Sequence, residues 1–177
     1  MIVAGTGFSP TGLASDLNEP GEVCEAGAVV AAHLGGRLRR QGGAVLVADY
    51  GYAGAVAHDS LQALRGHAVA DPFADPGESD LTAHVDFGAL ARAALLNCAP
   101  ARAGDVRVSG PVPQGVWLTR LGIEARARQL QARAGSAAAA QVAAALIRLT
   151  APAQMGNLFK VMAMTGKDWP VPAGFDA

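Results

Sequence analysis

The sequence predicts an α/β fold, in which helices pack on a sheet of buried strands. The first observation is the apolar run AVLVA at residues 44–48, which ends in Asp49 and Tyr50. Short continuous apolar runs are typical of strands buried on both faces of a parallel sheet. The second is that a helical pattern and two glycines, Gly42 and Gly43, come directly before this run. A helix, a glycine stop and a buried strand make half of a βαβ unit.

Length and composition limit the classes of protein to consider. The 177 residues suit one domain with a sizeable core, and 51% of them are hydrophobic while 16% are charged. The net charge of -1 gives no electrostatic reason to expect nucleic acid or an anionic membrane as a partner. No segment has the unbroken apolar length of a transmembrane helix, and no signal peptide is recognisable at the N-terminus. Cys24 and Cys98 are interpreted as buried free thiols, because both lie in apolar helical patterns.

Hydrophobic periodicity predicts the remaining elements. A helix is expected from about Val23 to Gln41. Its apolar face is expected to contain Val29, Val30, His33, Leu34 and Leu38. Residues 1–22 are expected to be an irregular lead-in, residues 51–79 a long loop with one β-leaning patch, and residues 166–177 an irregular tail. Strands are predicted at 106–110 and 157–165, and helices at 111–134, bent at Gly122, and after a cap at Ser136.

The polar stretch ESDLTAHVDF, residues 78–87, changes its period at Phe87. Before Phe87, polar and apolar residues alternate, which predicts an extended segment with Asp80, Thr82, His84 and Asp86 along one side. From Phe87 onward the apolar spacing is helical. Asp86 is therefore predicted to be the N-cap of this helix, worth about 1 kcal/mol. Val85 and Leu90 have the spacing of a hydrophobic staple.

Two groups of polar residues are candidates for function. Asp49 and Tyr50 end a buried strand, which is where open α/β sheets bind ligands, although a strand end bonded to a loop amide is the alternative. Arg65 and His67 could form a solvated turn, or Arg65 could clamp the loop by pairing with Asp80 or Asp86. The glycine pairs do not form a dinucleotide-binding fingerprint, and no spacing of ligands supports a metal site.

Four segments occur in a characteristic order along the chain. They are GGAVLVADYGY, LQALRGHAVADPFADPGESDLTAHVDFGALARAA, VSGPVPQGVWLTRLGIEARA and LTAPAQMGNLFKVMAMT. Together they resemble the C-terminal half of the MidA family of class I S-adenosylmethionine-dependent methyltransferases, from about Gly21 to Phe175. The resemblance implies that residues 1–177 form a single, partial methyltransferase domain with the C-terminal part of a Rossmann-like fold.

The resemblance also implies an activity. Mitochondrial members of the family methylate an arginine in a subunit of respiratory complex I, so the implied cofactor is S-adenosylmethionine and the implied partner is a protein substrate. The early strands and glycine-rich cofactor loop of the family are matched by no residues here, so no cofactor-binding position is carried over. The chain alone is expected to be inactive and poorly stable without the missing N-terminal half, because its buried strand would have an open edge. The expected compartment is the bacterial cytoplasm, or the mitochondrial matrix for a eukaryotic source.

Eight residues are expected to contact the substrate or the missing half, without individual chemical roles. They are Asp49, Tyr50, Arg65, His67, Asp80, Thr82, His84 and Gln114. An acid or a tyrosine near the acceptor would orient a guanidinium group. Two alternatives stay open: a non-catalytic remnant or binding module that docks on a partner protein, and a small metal-dependent hydrolase that uses His67, His84 and Asp80.

Overall fold

A computed structural model of the protein describes residues 22–54, 60–96 and 106–175. Its helices are α1 (Glu25–Gln41), α2 (Phe87–Leu96), α3 (Gln114–Arg120), α4 (Ile123–Gln131) and α5 (Ser136–Thr150). Its strands are β1 (Ala44–Tyr52), β2 (Gln62–Arg65), β3 (Ala68–Ala70), β4 (Asp80–Thr82), β5 (Val85–Asp86), β6 (Val106–Pro113) and β7 (Phe159–Gly166). A kinked turn, Pro152–Gly156, with Gln154 in a non-helical conformation, leads toward β7.

The main sheet has the strand order β5-β1-β7-β6. It is a mixed sheet, because β7 lies antiparallel between β1 and β6, and only the short pairing of β1 with β5 is parallel. The predicted α/β class is confirmed, but the pairing at its centre is not the expected parallel one. Helices α3 to α5 return the chain to the end of the sheet where β6 finishes, so β7 must run in the opposite direction.

Helices α1 and α2 cover one face of this sheet. The buried side chains of Phe87, Met162 and Met164 form the centre of the core, and Val45 and Val47 of β1 pack against them. The helices approach closely where Gly35 faces the backbone of Ala94, since a Cβ on Gly35 would lie 2.2 Å from the Ala94 carbonyl oxygen. A seam of small residues therefore fixes the position of α1 on α2.

This seam makes the predicted apolar face of α1 wrong at Val29 and Val30, whereas Leu38 is buried as predicted. The buried residues of α1 are Ala31, Gly35 and Leu38, whereas Val29 and Val30 are 55% and 58% exposed. Close backbone packing at Gly35 turns the two larger valines away from the core. Periodicity identified the helix, but the choice of buried face depended on the small residues that meet α2.

Strand β1 is covered on one face only, in contrast to the predicted burial on both. The side chain of Leu46 points away from α1 and α2 and is 53% exposed, and its neighbours Ala44 and Ala48 are exposed as well. One edge of β1 is also open among the described residues, because β5 pairs only with Gly51 and Tyr52. Residues 44–50 therefore pair with β7 on one edge and with no described strand on the other.

The segment predicted as a long loop contains a second sheet, with the strand order β3-β2-β4. We call residues 62–82 the arm. Its hairpin turns at Gly66 and His67, whose φ values of 57° and 67° fit a two-residue turn that requires positive φ at both positions. The β-leaning patch in the sequence is thus confirmed as β2 and β3.

Several local expectations can be compared with the backbone. The predicted bend at Gly122 is a complete break between α3 and α4, with Gly122 at φ 82°. Ser136 is the first residue of α5 rather than its cap, which is Gly135. Cys24 is exposed, and its Sγ accepts a hydrogen bond from the Gly27 amide at 3.3 Å, so it is not a buried thiol. Cys98 lies outside the described residues.

Membrane insertion of a helix finds no support in the structure. No helix in the described ranges combines the length and the apolar character needed to cross a bilayer.

Candidate functional site

The carboxyl ends of β1 and β6 meet the start of β7 at one end of the main sheet. Tyr50 lies opposite Phe159 in the strand register, and Asp49 lies opposite Lys160. Lys160 also pairs with Pro113 at the end of β6. Polar and aromatic side chains therefore collect at this end, which is the side where open α/β sheets bind ligands.

Tyr50 is the centre of an aromatic group. Its ring centroid lies 5.7 Å from that of His84 and 5.6 Å from that of Phe159, both in edge-to-face arrangements. The preceding carboxylate is directed back onto the backbone, since Asp49 Oδ1 accepts a hydrogen bond from the Tyr50 amide at 2.8 Å. Asp49, Tyr50 and His84, which sequence reasoning proposed as candidates, are thus brought to the same end of the sheet.

A hydrogen-bonded latch joins three distant parts of the chain beside this group. The Ser60 amide and hydroxyl donate to the Glu22 carboxylate at 2.7 and 2.6 Å, and the His84 amide donates to Ser60 Oγ at 2.8 Å. Ser60 is almost fully buried. Sequence reasoning missed Glu22 and Ser60, because neither lies in a periodic pattern and their pairing spans 38 residues.

Tyr52 extends the latch toward the start of α2. Burial raises the pKa of the Tyr52 phenol above its usual value of 10.0, and the negative charges of Asp86 and Glu22 and a hydrogen bond to Glu22 act in the same direction. The phenol therefore stays protonated and serves as a hydrogen-bond donor. The sequence signal for Tyr52 was its position in β1, because residues two apart on a strand share one face and Tyr50 was already a candidate.

The predicted role of Asp86 is confirmed by its hydrogen bond. Asp86 Oδ1 accepts from the Ala89 amide at 2.9 Å, as an N-cap does, and Oδ2 lies 3.6 Å from Arg92. Val85 and Leu90 both pack against the core that α2 covers. The cap thus fixes the start of α2 directly beside the latch.

Lys160 and Gln114 occupy the other side of the site. Burial lowers the pKa of the Lys160 ammonium, whose Nζ donates a hydrogen bond to the Asn157 carbonyl oxygen. Gln114 is buried, and its Nε2 donates to the Leu149 carbonyl oxygen at 3.0 Å. That hydrogen bond holds the start of α3 against the end of α5, so the observed contact of Gln114 is a structural one.

The other four candidates lie on the arm. Arg65 pairs with Asp75 at 3.0 Å and with Glu78 at 3.4 Å, so its predicted pairing with Asp80 or Asp86 is wrong. Asp80 lies opposite Leu64, the neighbour of Arg65 in β2, and therefore projects from the other face of the arm. His67 is part of the hairpin turn, and Thr82 shares a face with Asp80.

The hydrolase alternative requires a cluster of metal-ligating side chains. No group of three or more histidine, cysteine, aspartate or glutamate residues that could hold a metal occurs among the described residues. His67, His84 and Asp80, named in the hydrolase alternative, do not form such a group in the described ranges. The rings of Tyr50, His84 and Phe159 suit contact with a planar cation such as a guanidinium.

The described residues offer no cradle for a nucleotide-like cofactor at this end. Gly51 follows Asp49 and Tyr50, but a Cβ there would lie 2.2 Å from the Val85 carbonyl oxygen, so this glycine serves close strand packing. The start of α2 is capped by Asp86. Neither feature forms a nucleotide-binding loop in this described part of the sheet end.

Comparison with known proteins decides the family. Residues 8–103 match the family described as "Putative S-adenosyl-L-methionine-dependent methyltransferase". The chain belongs to this methyltransferase family, the MidA family of the resemblance. A mitochondrial protein of Drosophila melanogaster, named as a protein arginine methyltransferase NDUFAF7 homolog, is 40% identical over 131 residues, which are 74% of this chain and 28% of that relative.

A mouse relative and two solved structures agree with this assignment. The mitochondrial protein arginine methyltransferase NDUFAF7 of Mus musculus is 37% identical over 144 residues, 81% of this chain and 31% of its own length. A Burkholderia thailandensis protein shares the fold with a TM-score of 0.67 at 24% identity, over 88% of this chain and 39% of that one. A second structure from that organism, solved with S-adenosyl-homocysteine bound, has a TM-score of 0.63 at 25% identity, over 88% of this chain and 38% of that one. The chain thus spans less than half the length of the proteins that it matches.

Proposed function

We propose that this chain supplies the acceptor side of an S-adenosylmethionine-dependent protein arginine methyltransferase, and that it is inactive without the remainder of the family fold. The observation that carries the proposal is the edge of β1 at residues 44–50 that no strand in the described ranges pairs with. This open edge lies on the same strand that presents Asp49 and Tyr50. A strand added there would extend the sheet directly beside the candidate site.

The apolar character of this side supports an internal interface rather than a solvent surface. Leu46 is 53% exposed on the uncovered face, and the strand places no charged residue between Ala44 and Ala48. Natural edge strands that face solvent are usually protected by charges, prolines or bulges. The relatives named as arginine methyltransferases are more than twice as long as this chain, and the extra length is sufficient to cover the strand.

The role of this chain in the reaction is positional. The ring of Tyr50 orients the guanidinium of the acceptor, and the Asp49 carboxylate holds the Tyr50 backbone amide. The latch of Glu22, Ser60 and His84 holds the Tyr50 group in place. S-adenosylmethionine, when bound by the complete fold, supplies the methyl group. Alignment of donor and acceptor accounts for much of the rate of such a transfer.

Calorimetry tests the proposal directly. The chain alone is titrated with S-adenosyl-homocysteine, and so is the chain joined to the N-terminal part of the Burkholderia thailandensis protein that binds this ligand. We expect no heat of binding for the chain alone and saturable binding for the joined polypeptide. Binding by the chain alone would show a self-sufficient cofactor site and would contradict the proposal.

The acceptor-side role has a separate test in the joined polypeptide. Tyr50→Ala and Asp49→Ala are expected to reduce methyl transfer to an arginine-containing protein while cofactor binding stays unchanged. Methylation that is equal to that of the parent protein in both variants would remove these residues from the acceptor side. The finer identity of the acceptor, a respiratory-complex subunit, rests on the family resemblance and stays a prediction, which mass spectrometry of arginine methylation in that complex would test.

A binding module is the second candidate function, and the exposed arm favours it. If the joined polypeptide bound no cofactor but captured a purified protein partner through the arm, the module would replace the enzyme as the better description.

A further inference from the structure

The face of the arm that carries Asp80 is unusually apolar for a solvent-exposed surface. Val69, Leu64 and Asp80 lie side by side across the three strands, because Leu64 pairs with both of the others in the strand register. Val69 is 83% exposed, Leu64 is 37% exposed, and Asp80 is exposed as well. We call Gln62, Leu64, Val69, Asp80 and Thr82 the outer face of the arm, since cross-strand partners share one face.

The loop at residues 71–79 holds a large aromatic side chain in solvent. Phe73 is 78% exposed, although its amide donates to Asp71 Oδ1 at 2.9 Å and the Ala74 amide donates to the Asp71 carbonyl oxygen. Farther along, the Arg65 guanidinium binds both Asp75 and Glu78. An ordered loop that presents its only aromatic ring outward is typical of a binding anchor, because such rings contribute most of the energy of protein interfaces.

The charge of the arm identifies the chemistry of a partner. The arm carries one guanidinium, that of Arg65, and four carboxylates, those of Asp71, Asp75, Glu78 and Asp80. Arg65 is engaged by Asp75 and Glu78, whereas the Asp80 carboxylate has no ion-pair partner in the described ranges. The arm is therefore an acidic surface with an unpaired carboxylate beside apolar side chains.

We propose that the outer face and Phe73 form a docking surface for an arginine-bearing, leucine-rich segment of the protein substrate. An arginine side chain is complementary to the neighbouring Val69, Leu64 and Asp80. Its aliphatic part can pack along Val69 and Leu64 while its guanidinium reaches Asp80. The arm also leads directly into the candidate site, since only Ala83 separates β4 from His84. This inference rests on the proposed function, which makes arginine the target residue.

Fluorescence anisotropy tests the docking surface with the whole chain. The probe is a fluorescein-labelled peptide of alternating leucine and arginine, and the comparison peptide has citrulline in place of each arginine. We expect saturable, salt-sensitive binding of the arginine peptide, at least about tenfold weaker binding by Phe73→Ala, and about threefold or more by Asp80→Asn. Phe73→Leu should restore most of the affinity.

Matched control variants separate the surface from general effects on folding or charge. Leu96 on α2 is 77% exposed, which is nearly the same exposed fraction as that of Phe73. Asp168 is an exposed acid in the tail. Leu96→Ala and Asp168→Asn should bind as the parent chain does. Absence of binding by the parent chain, equal binding of the citrulline peptide, or unchanged affinity of Phe73→Ala would each overturn the inference.

The joined polypeptide distinguishes a failed docking surface from a failed enzyme assignment. If Phe73→Ala abolishes peptide binding and leaves S-adenosyl-homocysteine binding intact, the docking surface is supported independently of the cofactor site. If the joined polypeptide binds the peptide but no S-adenosyl-homocysteine, the proposed function fails while the surface stands. Peptide binding that disappears on joining would assign Phe73 to the contact with the rest of the fold and overturn the inference.

Discussion

The two faces of β1 differ in burial within the described part of the molecule. On one face Val45 and Val47 pack under α1 and α2, beside the buried Phe87 and Met162. On the other face Leu46, only one residue away, is 53% exposed. The difference teaches that helices cover the apolar side chains on one face of β1, whereas no described element fully covers the apolar side chains on the other face. The first side should govern the stability of the chain, and the second its assembly.

The largest expected difference in the free energy of unfolding is between a substitution in the core on the covered face of β1 and one on its uncovered face. Phe87→Ala should destabilise the chain by about 3 to 5 kcal/mol, because it leaves a cavity in a fully packed core. Leu46→Ala should cost less than about 1 kcal/mol, since half of its side chain already contacts water. Urea unfolding monitored by circular dichroism measures both. Equal losses would show that the uncovered face is packed in solution.

Glycine substitutions in α1 give the next largest effect. Gly35→Ala should cost about 2 kcal/mol or more, because its Cβ would lie 2.2 Å from the Ala94 carbonyl oxygen and must push the helices apart. Gly36→Ala is the matched control, since its Cβ would meet only the end of the Arg40 side chain, at 3.4 Å. It should stabilise the helix by about 0.5 kcal/mol or slightly more. The same unfolding assay would contradict the seam between α1 and α2 if both variants behaved alike.

A smaller effect on stability is expected from substitutions of Asp86 and Asp80, which both lie in the polar stretch at residues 78–87. Asp86→Ala should cost about 1 kcal/mol through loss of the cap at the start of α2. Asp80→Ala should change the stability by no more than about 0.5 kcal/mol, because Asp80 has no ion pair among the described residues. A thermal melt that lowers the midpoint equally in both variants would rule out this division between core and arm.

The smallest effect is a pH dependence at the latch. The folded pKa of Tyr52 lies above its unfolded value of 10.0, so the folded state keeps the proton longer. The contribution of Tyr52 is therefore complete below about pH 10 and is lost as the pH rises through the folded pKa. Stability measured from about pH 9 to about pH 11 should fall less steeply in Tyr52→Phe than in the parent chain. Identical slopes would show that the phenol is not held by Glu22 and Asp86.

The sequence predicted local features and missed those that depend on distant neighbours. The Asp86 cap and the position of β1 were predicted because their signals lie within a few adjacent residues. The buried face of α1 was wrong because small residues on α2 decide it. Arg65 was paired with the wrong acids because strand register, which sequence spacing does not give, places Asp80 on the opposite face.

The candidate site was predictable to a similar extent. Asp49 and Tyr50 were identified because a buried strand that ends in polar residues marks the ligand end of an α/β sheet. His84 was found only as part of a polar stretch, and its contact with Tyr50 required the parallel pairing of β5 with β1. The bond between Glu22 and Ser60 joins two segments without any pattern, so no local signal could have predicted it.

Amide hydrogen exchange along β1 tests the central claim most directly. In the chain alone, alternate amides of residues 44–50, those directed away from β7, should exchange rapidly, while the amides bonded to β7 stay protected. In the polypeptide joined to the N-terminal part of the Burkholderia thailandensis protein, both sets should be protected, because a neighbouring strand completes the sheet. Protection of both sets in the chain alone, or no change on joining, would contradict the claim that this strand awaits the rest of a methyltransferase.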